Sequence, residues 1–115
     1  MIYTSYYSNP SIRKIPDSLK LNIALYRPRW LSTSIRNVPA LYPPEHLLRA
    51  IKSGAINWEQ YKDTYYREVL NTLDPRQVYD SLKGKTLLCY CKGVCHRNIV
   101  AEWLESNGCG EVKEL

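Results

Sequence analysis

The residues with the greatest capacity for chemistry in this chain lie in one short stretch, "CYCKGVCHR", residues 89–97. This stretch contains three of the four cysteines and one of the two histidines among 115 residues. A thiolate can act as a nucleophile or a metal ligand, an imidazole exchanges protons near neutral pH, and a guanidinium binds phosphate. The stretch is therefore compatible with a metal site, a thiol nucleophile or a phosphate cradle.

Four side chains of zinc-binding type occur here, namely Cys89, Cys91, Cys95 and His96. Their spacing argues against a metal site, because no second C-x2-C pair is present and the adjacent Cys95 and His96 would have to reach one ion from neighbouring backbone positions. Cys109 lies at the far end of a predicted helix, about residues 97 to 107, which is about 15 Å long at about 1.5 Å per residue. It is therefore too far away to join the other ligands. We therefore predict neither a metal ion nor any other cofactor.

Cys91 and Arg97 have the C-x5-R spacing of cysteine-dependent phosphatases. In such a site the thiolate follows a strand, loop amides and a helix N-terminus surround the phosphate, and the arginine binds its oxygens. Tyr90, however, stands where those phosphatases have histidine, and Asn98 where they have serine or threonine. A phosphatase-like enzyme is thus an alternative, with Arg97 and Asn98 as candidate ligand-binding residues. Cys89, inside a predicted strand, is expected to be a small buried apolar side chain.

Period-two patterns and runs of β-forming residues predict strands at residues 2–7, 19–26, 85–91 and 111–115. Helices are predicted at residues 45–54, 58–70, 76–84 and 96–108, two of them preceded by capping boxes at Asn57 and Asp74. Residues 32–45, with three prolines, are predicted to be a loop. Strands at both ends with helices between them predict one α/β domain, residues 1–115, with a mostly parallel sheet.

Ligands of open α/β sheets bind outside the carboxyl ends of the strands. Three such ends are predicted to converge on one crevice, and the third is the Cys/His/Arg loop. The first two contribute these further candidate ligand-binding residues: Ser5, Tyr6, Tyr7, Arg27, Arg29 and Trp30.

The formal net charge is +5, and all of the excess lies in residues 1–40, where six basic residues face Asp17 alone. A basic face attracts phosphates. The ten tyrosines and three tryptophans, with no phenylalanine, are suited to stacking on and hydrogen-bonding a ligand. The expected partner is a phosphate-containing small molecule or a nucleic acid. A non-enzymatic interaction or inhibitor protein that uses the basic N-terminal third is a further alternative.

No apolar run approaches the roughly 20 residues needed to span a bilayer, and "MIYTSYYSNP" is unlike a signal peptide. Clustered cysteines make a poor disulfide framework and are better suited to a reducing compartment. We therefore predict a cytoplasmic protein with no membrane partner.

The stretch "LLCYCKGVCHRNIVAEWLE" resembles the signature of the family called domain of unknown function 488. The resemblance extends to "IYTSYYSN", "LNIALYRPRW" and "YKDTYYREVLNTLDP", and so to nearly the whole chain. It implies a small three-layer fold of Rossmann-like or flavodoxin-like type, and a polar site formed by Cys95, His96 and Arg97 with Tyr and Ser from the first turn. The resemblance implies no reaction.

Members of that family often have an acidic residue where this chain has Cys91, which weakens the phosphatase alternative. Cys95, beside His96 at a helix start, is then the better candidate for a reactive thiolate, with His96 as general acid or base. The leading hypothesis is binding of a nucleotide or nucleic acid at this loop, with Arg97 on the phosphate and the chemistry of Cys91, Cys95 and His96 left open.

Overall fold

The computed structural model describes residues 1–91 and 95–115. The strands are β1 (Ile2–Tyr6), β2 (Lys20–Asn22), β3 (Arg36–Asn37), β4 (Thr86–Cys89) and β5 (Val112–Glu114). The helices are α1 (Glu45–Lys52), α2 (Trp58–Glu68), α3 (Pro75–Leu82) and α4 (His96–Ser106). Short 3-10 turns occur at Pro10–Lys14, Asp17–Leu19, Pro39–Leu41 and Leu70–Thr72.

The five strands form one sheet in the order β3-β2-β4-β1-β5, and every pairing is parallel. In the centre of the sheet, Ser5 of β1 is opposite Leu88 of β4, and Leu87 of β4 is opposite Leu21 of β2. All four residues of β4 are buried, as expected for a strand covered on both faces. The predicted α/β fold class, of Rossmann-like and flavodoxin-like type, is confirmed.

The direction of the connections determines which face of the sheet each segment covers. The connections from β1 to β2 and from β2 to β3 run toward the β3 edge, whereas those from β3 to β4 and from β4 to β5 run toward the β5 edge. Because crossovers between parallel strands are right-handed, the four helices lie on one face, and residues 7–19 and 23–35 on the other. The chain thus leaves β2 and β4 toward opposite faces, which opens a crevice at their carboxyl ends.

The second strand is shorter than the predicted 19–26, and its burial does not alternate. Lys20, Leu21 and Asn22 are all buried, because β2 lies between β3 and β4 and both of its faces are covered. The Lys20 ammonium is satisfied by the Asp17 carboxylate at 3.0 Å and the Ile12 carbonyl at 3.3 Å. The polar residues Lys20 and Asn22 of the period-two pattern are therefore buried, and both have hydrogen-bond partners within the protein.

The prediction of a loop over residues 32–45 was incomplete, because β3 and a 3-10 turn lie within it. β3 has only two residues, both exposed, at the edge of the sheet, which is too short to leave a pattern in the sequence. It is joined to β2 by side chains, since the Asn22 Nδ2 donates to Asn37 Oδ1 at 3.0 Å.

The helices begin where their caps predict. Asn57 and Gln60 form the reciprocal capping box of α2, with both hydrogen bonds at 2.9 Å. The Asp74 carboxylate accepts from two backbone amides at the start of α3. Gly54, predicted to end the first helix, adopts a φ of +79°. Among the described residues, no helix is long and apolar enough to cross a membrane.

Candidate functional site

A cavity of about 510 Å³ lies in the crevice at the carboxyl ends of β2 and β4. Its walls are mostly apolar and come from segments that are far apart in the chain. The lining residues are Ala24, Leu25, Tyr26, Pro43, Leu48, Ile51, Lys52, Trp58, Tyr61, Cys89, Tyr90, Cys91, Cys95 and His96. A concave, largely apolar pocket with a few polar groups at this point of an α/β sheet is the usual form of a ligand site.

Cys95 and His96 lie together in the inner wall of this cavity. Cys95 caps α4 in an extended conformation, and its backbone amide donates to Asn98 Oδ1 at 2.8 Å. The chain turns into the helix at this point, so that the Cys95 Sγ lies 3.3 Å from Nδ1 of the next residue. The expectation that these adjacent side chains could not converge is therefore wrong, because it assumed an unchanged backbone direction at the helix start.

The tautomer of His96 follows from its second nitrogen. The Nε2 atom lies 2.7 Å from the carbonyl oxygen of Ile23, which can only accept, so Nε2 carries the hydrogen. Nδ1 then presents a lone pair toward the Cys95 sulfur. The ring is buried, and this hydrogen bond ties the start of α4 to the end of β2.

Cys89 is the third member of the cluster, and its role differs from the one predicted. It is buried as expected, but the Arg97 Nη1 donates to its sulfur at 3.0 Å. The pKa of the Cys89 thiol is lowered, first by a hydrogen bond from Cys95 and then by the charge of Arg97, against the effect of burial. A guanidinium eight residues along the chain thus contacts this sulfur, which the apolar strand pattern does not indicate.

The pKa values of the other two thiols are shifted in the opposite direction. The hydrogen bond to Cys89 raises the pKa of Cys95 to about 11. The hydrogen bond between Cys91 and Cys95, together with burial, raises the pKa of Cys91, and the charges of Arg97 and Lys52 offset only part of this. The Cys95 pKa is thus raised, not lowered as expected at a helix start, and the largest cause is its hydrogen bond with Cys89.

Arg97 is 1% exposed and makes its contacts within the protein. Its Nε lies 3.1 Å from both carboxylate oxygens of Glu114 and its Nη2 lies 2.9 Å from one of them, while Nη1 donates to the Cys91 carbonyl at 2.6 Å. The guanidinium also covers the Tyr6 ring, with Cζ 5.6 Å from its centroid. These contacts argue against Arg97 as the phosphate ligand and against the phosphatase alternative. The cradle expected between Cys91 and Arg97 lies partly at residues 92–94, outside the described residues.

Several other candidate ligand-binding residues make hydrogen bonds to other groups of the protein. The Ser5 hydroxyl accepts from Asn9 Nδ2 at 2.9 Å, and the Tyr7 hydroxyl donates to Asn22 Oδ1. Asn98 caps α4, as described above. Arg27 donates to the Ile35 carbonyl at 2.7 Å and to Asn37 Oδ1 at 2.8 Å. Tyr6, beneath Arg97, likewise has an internal partner.

The remaining candidates, Arg29 and Trp30, are exposed, and Trp30 is 70% exposed. The Trp30 ring meets the Tyr7 ring edge-on at 5.7 Å, and Tyr7 meets Tyr90 at 5.5 Å on its other side. Tyr90 lines the cavity, so this aromatic row (Trp30, Tyr7 and Tyr90) runs from the cavity mouth across the carboxyl edge of the sheet.

Several cavity residues on the helices and after β2 are not among the residues predicted from the sequence. Tyr26 and Lys52 are exposed at the cavity, and the stacked rings of Trp58 and Tyr61 form one wall with centroids 5.1 Å apart. The spacing of Trp58 and Tyr61 matched a helix stripe facing the core, and nothing in that pattern separates a cavity wall from the core. Lys52 closes a helix, where a lysine is ordinary.

Acid is expected to destabilise the protein through His96. Burial lowers the pKa of His96 from 6.5 to about 4, so the folded ring stays neutral at a pH where the unfolded one is protonated. The unfolded state then binds more protons between pH 6.5 and 4, and the free energy of unfolding falls as pH is lowered through that range. The loss reaches about 3 kcal/mol at the conversion of about 1.4 kcal/mol per pKa unit.

Urea unfolding at several pH values, with a chelator present, measures this loss. His96→Asn should flatten the dependence between pH 4 and 6.5. Parallel curves for the wild type and His96→Asn would contradict the assignment.

Comparison with known proteins identifies the family to which the chain belongs. Searches of curated proteins and of solved structures found no match. A protein-family model described as the active DUF488-N3 subclade, DUF488-N3a, matches residues 2–108, which is nearly the whole chain. The chain therefore belongs to the DUF488 family, as the opening resemblance had indicated.

Proposed function

We propose that this protein binds a nucleotide, free or as one unit of a single-stranded nucleic acid, with the base in the cavity at the carboxyl ends of β2 and β4. The observation that carries the proposal is the combination of a mostly apolar cavity, flat aromatic walls and an exposed lysine in its lining. The cavity volume of about 510 Å³ lies within the range of about 300–1,000 Å³ typical of small-molecule sites.

The aromatic walls are suited to a planar ring. Trp58 and Tyr61 stack on each other with an interplanar angle of 12°, and Tyr26 lines the same cavity with 54% of its surface exposed. A nucleobase against such rings gains about 1–3 kcal/mol per stacked side chain. The sulfurs of Cys91 and Cys95 and the His96 ring lie in the same lining, so a bound base would lie beside them.

Lys52, in the cavity lining, would bind the phosphate. Its side chain is exposed at the end of α1, so its ammonium can meet a phosphate that extends from the cavity toward solvent. Arg29 is exposed next to Trp30 and adds positive charge on the same edge of the sheet. Lys52 and Arg29 thus replace Arg97 in the phosphate-binding role.

The aromatic row supports binding of a single-stranded nucleic acid as well as of a free nucleotide. In a single strand, the base next to the bound one would stack on Tyr90 or Trp30, which are 49% and 70% exposed. Stacking platforms beside positive charge are the usual means of binding single strands without sequence preference.

Charge reversal at Lys52 is the test of this proposal. Lys52→Glu should weaken binding of a nucleoside triphosphate or of a short oligothymidylate by about tenfold or more, because it replaces a phosphate contact by repulsion. Tyr26→Ala should weaken it by about fivefold or more through loss of stacking. Calorimetric titration at low salt measures both, and comparison of the two ligands shows whether the free nucleotide or the strand is bound.

The matched control is Lys83→Glu, which makes the same charge change at the exposed lysine that follows α3 and should alter affinity by less than about twofold. The absence of saturable binding of either ligand at low salt would overturn the proposal. So would retention of binding by Lys52→Glu together with its loss in Arg13→Glu/Lys14→Glu, which would place the ligand on the basic N-terminal surface.

A further inference from the structure

We propose that Cys89, Cys95 and His96 bind one zinc ion at the inner wall of the cavity. The two sulfurs and a ring nitrogen of His96 lie within 4.8 Å of one another, and all three residues are buried. Two of these ligands come from the start of α4 and one from the end of β4, so two rigid elements present them. This site is argued from its own geometry and does not depend on nucleotide binding.

The separations are close to those that zinc requires. Zinc–sulfur bonds of about 2.3 Å and zinc–nitrogen bonds of about 2.0 Å at tetrahedral angles place ligand atoms about 3.5–3.8 Å apart. The Cys95 Sγ and His96 Nδ1 are already 3.3 Å apart. Side-chain adjustments of about 1 Å or less would bring the cluster to coordination geometry, which rotation about χ angles can supply.

The surrounding hydrogen bonds are those of a metal site. A ligating histidine usually donates its second N–H to a backbone carbonyl or carboxylate, which fixes the tautomer and directs the other lone pair at the metal. His96 does this with the Ile23 carbonyl at 2.7 Å. The N–H···S contact from Arg97 to Cys89, at 3.0 Å, supports a thiolate in the same way.

The charges balance when both thiols are deprotonated. Cys89 and Cys95 each release a proton to solvent as their thiolates coordinate, and the two negative charges neutralise the ion. Arg97 does not add an uncompensated charge, because the Glu114 carboxylate is paired with it at 2.9 Å. Two thiolates and one imidazole are a ligand set that favours zinc over magnesium or calcium.

A three-residue site leaves the fourth position of the tetrahedron open, and all three ligands line the cavity. Water or a polar group of a cavity ligand can occupy that position. Zinc with three protein ligands and one open position is the arrangement of catalytic rather than structural sites. The proposed ion would therefore lie where it can contact a molecule bound among the aromatic walls.

Cobalt substitution tests the site in the wild-type protein. Metal-free protein titrated with Co²⁺ should develop a thiolate-to-cobalt charge-transfer band and intense visible bands of a tetrahedral site, saturating at one equivalent, and Zn²⁺ should displace them. Nucleotide is left out of the titration, so its outcome is separate from that of the binding test above. A wild-type spectrum without a charge-transfer band would overturn the proposal, and no variant is needed for that result.

Variants locate the ligands once the band is seen. Cys89→Ser, Cys95→Ser and His96→Ala should each weaken zinc affinity by about 100-fold or more, measured by competition with a chromophoric chelator. Cys109→Ser is the matched control, since that buried thiol lies outside the cluster, and it should stay within about twofold of wild type. Circular dichroism shows that each protein is folded. Unchanged affinity in folded Cys89→Ser and Cys95→Ser would overturn the assignment.

Discussion

Arg97→Ala is expected to lower the free energy of unfolding by about 2–5 kcal/mol, the usual cost of truncating a long buried side chain. The guanidinium is 1% exposed and joins β5, β4 and the loop residue Cys91 through its bonds to Glu114, the Cys89 sulfur and the Cys91 carbonyl. Its loss leaves those acceptors without their donor and empties a volume between α4 and the sheet.

Urea unfolding followed by circular dichroism at pH 7 measures this effect. Arg67→Ala is the matched control, because its side chain is 68% exposed and 3.9 Å from Glu68, and it should cost less than about 1 kcal/mol. Glu114→Gln should fall between them, at about 1–2 kcal/mol, because an oxygen acceptor remains and the site is partly exposed. A cost below about 1 kcal/mol for Arg97→Ala would show that the guanidinium is not the internal link described here.

Tyr65→Ala should cost about 3–5 kcal/mol, the usual range for removing a large buried aromatic side chain. Tyr65 is fully buried in α2, its hydroxyl donates to the Leu41 carbonyl at 2.7 Å, and its ring lies 5.7 Å from the His96 ring. Burial raises the pKa of its hydroxyl well above the ordinary value, so the group is a neutral donor throughout the working range of pH.

The conservative variants separate the hydroxyl from the ring. Tyr65→Phe should lose about 1–2 kcal/mol, because the Leu41 carbonyl is left without its donor, whereas Tyr66→Phe on the same helix should change stability by less than about 0.5 kcal/mol. Equal effects of the two Phe variants in urea unfolding would contradict the role of the Tyr65 hydroxyl. Because Tyr65 supports the ring of His96, Tyr65→Ala should also weaken Co²⁺ binding, whereas Tyr66→Phe should not.

Local patterns in the sequence determined the element types and the fold class. Caps such as Asn57 and Asp74 mark helix starts by chemistry that needs no distant partner, and an apolar run such as β4 marks a strand covered on both faces. These signals depend on residues within one or two turns of each other, so they can be read from the chain alone. The same reasoning predicts a site at a strand-to-helix junction on the carboxyl edge of a parallel sheet, where the structure has a cavity.

What the tertiary structure decided is which side chains of that junction face the cavity and which bond within the protein. The sequence predicts that Arg97 binds phosphate and that Cys89 is an apolar residue. In the structure Arg97 donates to the Cys89 sulfur and pairs with Glu114, because α4 packs against β4 and β5 brings Glu114 to the same place. Lys52, Tyr26 and the Trp58 wall reach the site from other elements. Contacts between segments far apart in the chain depend on strand order and on helix packing, and neither leaves a local signal in the sequence.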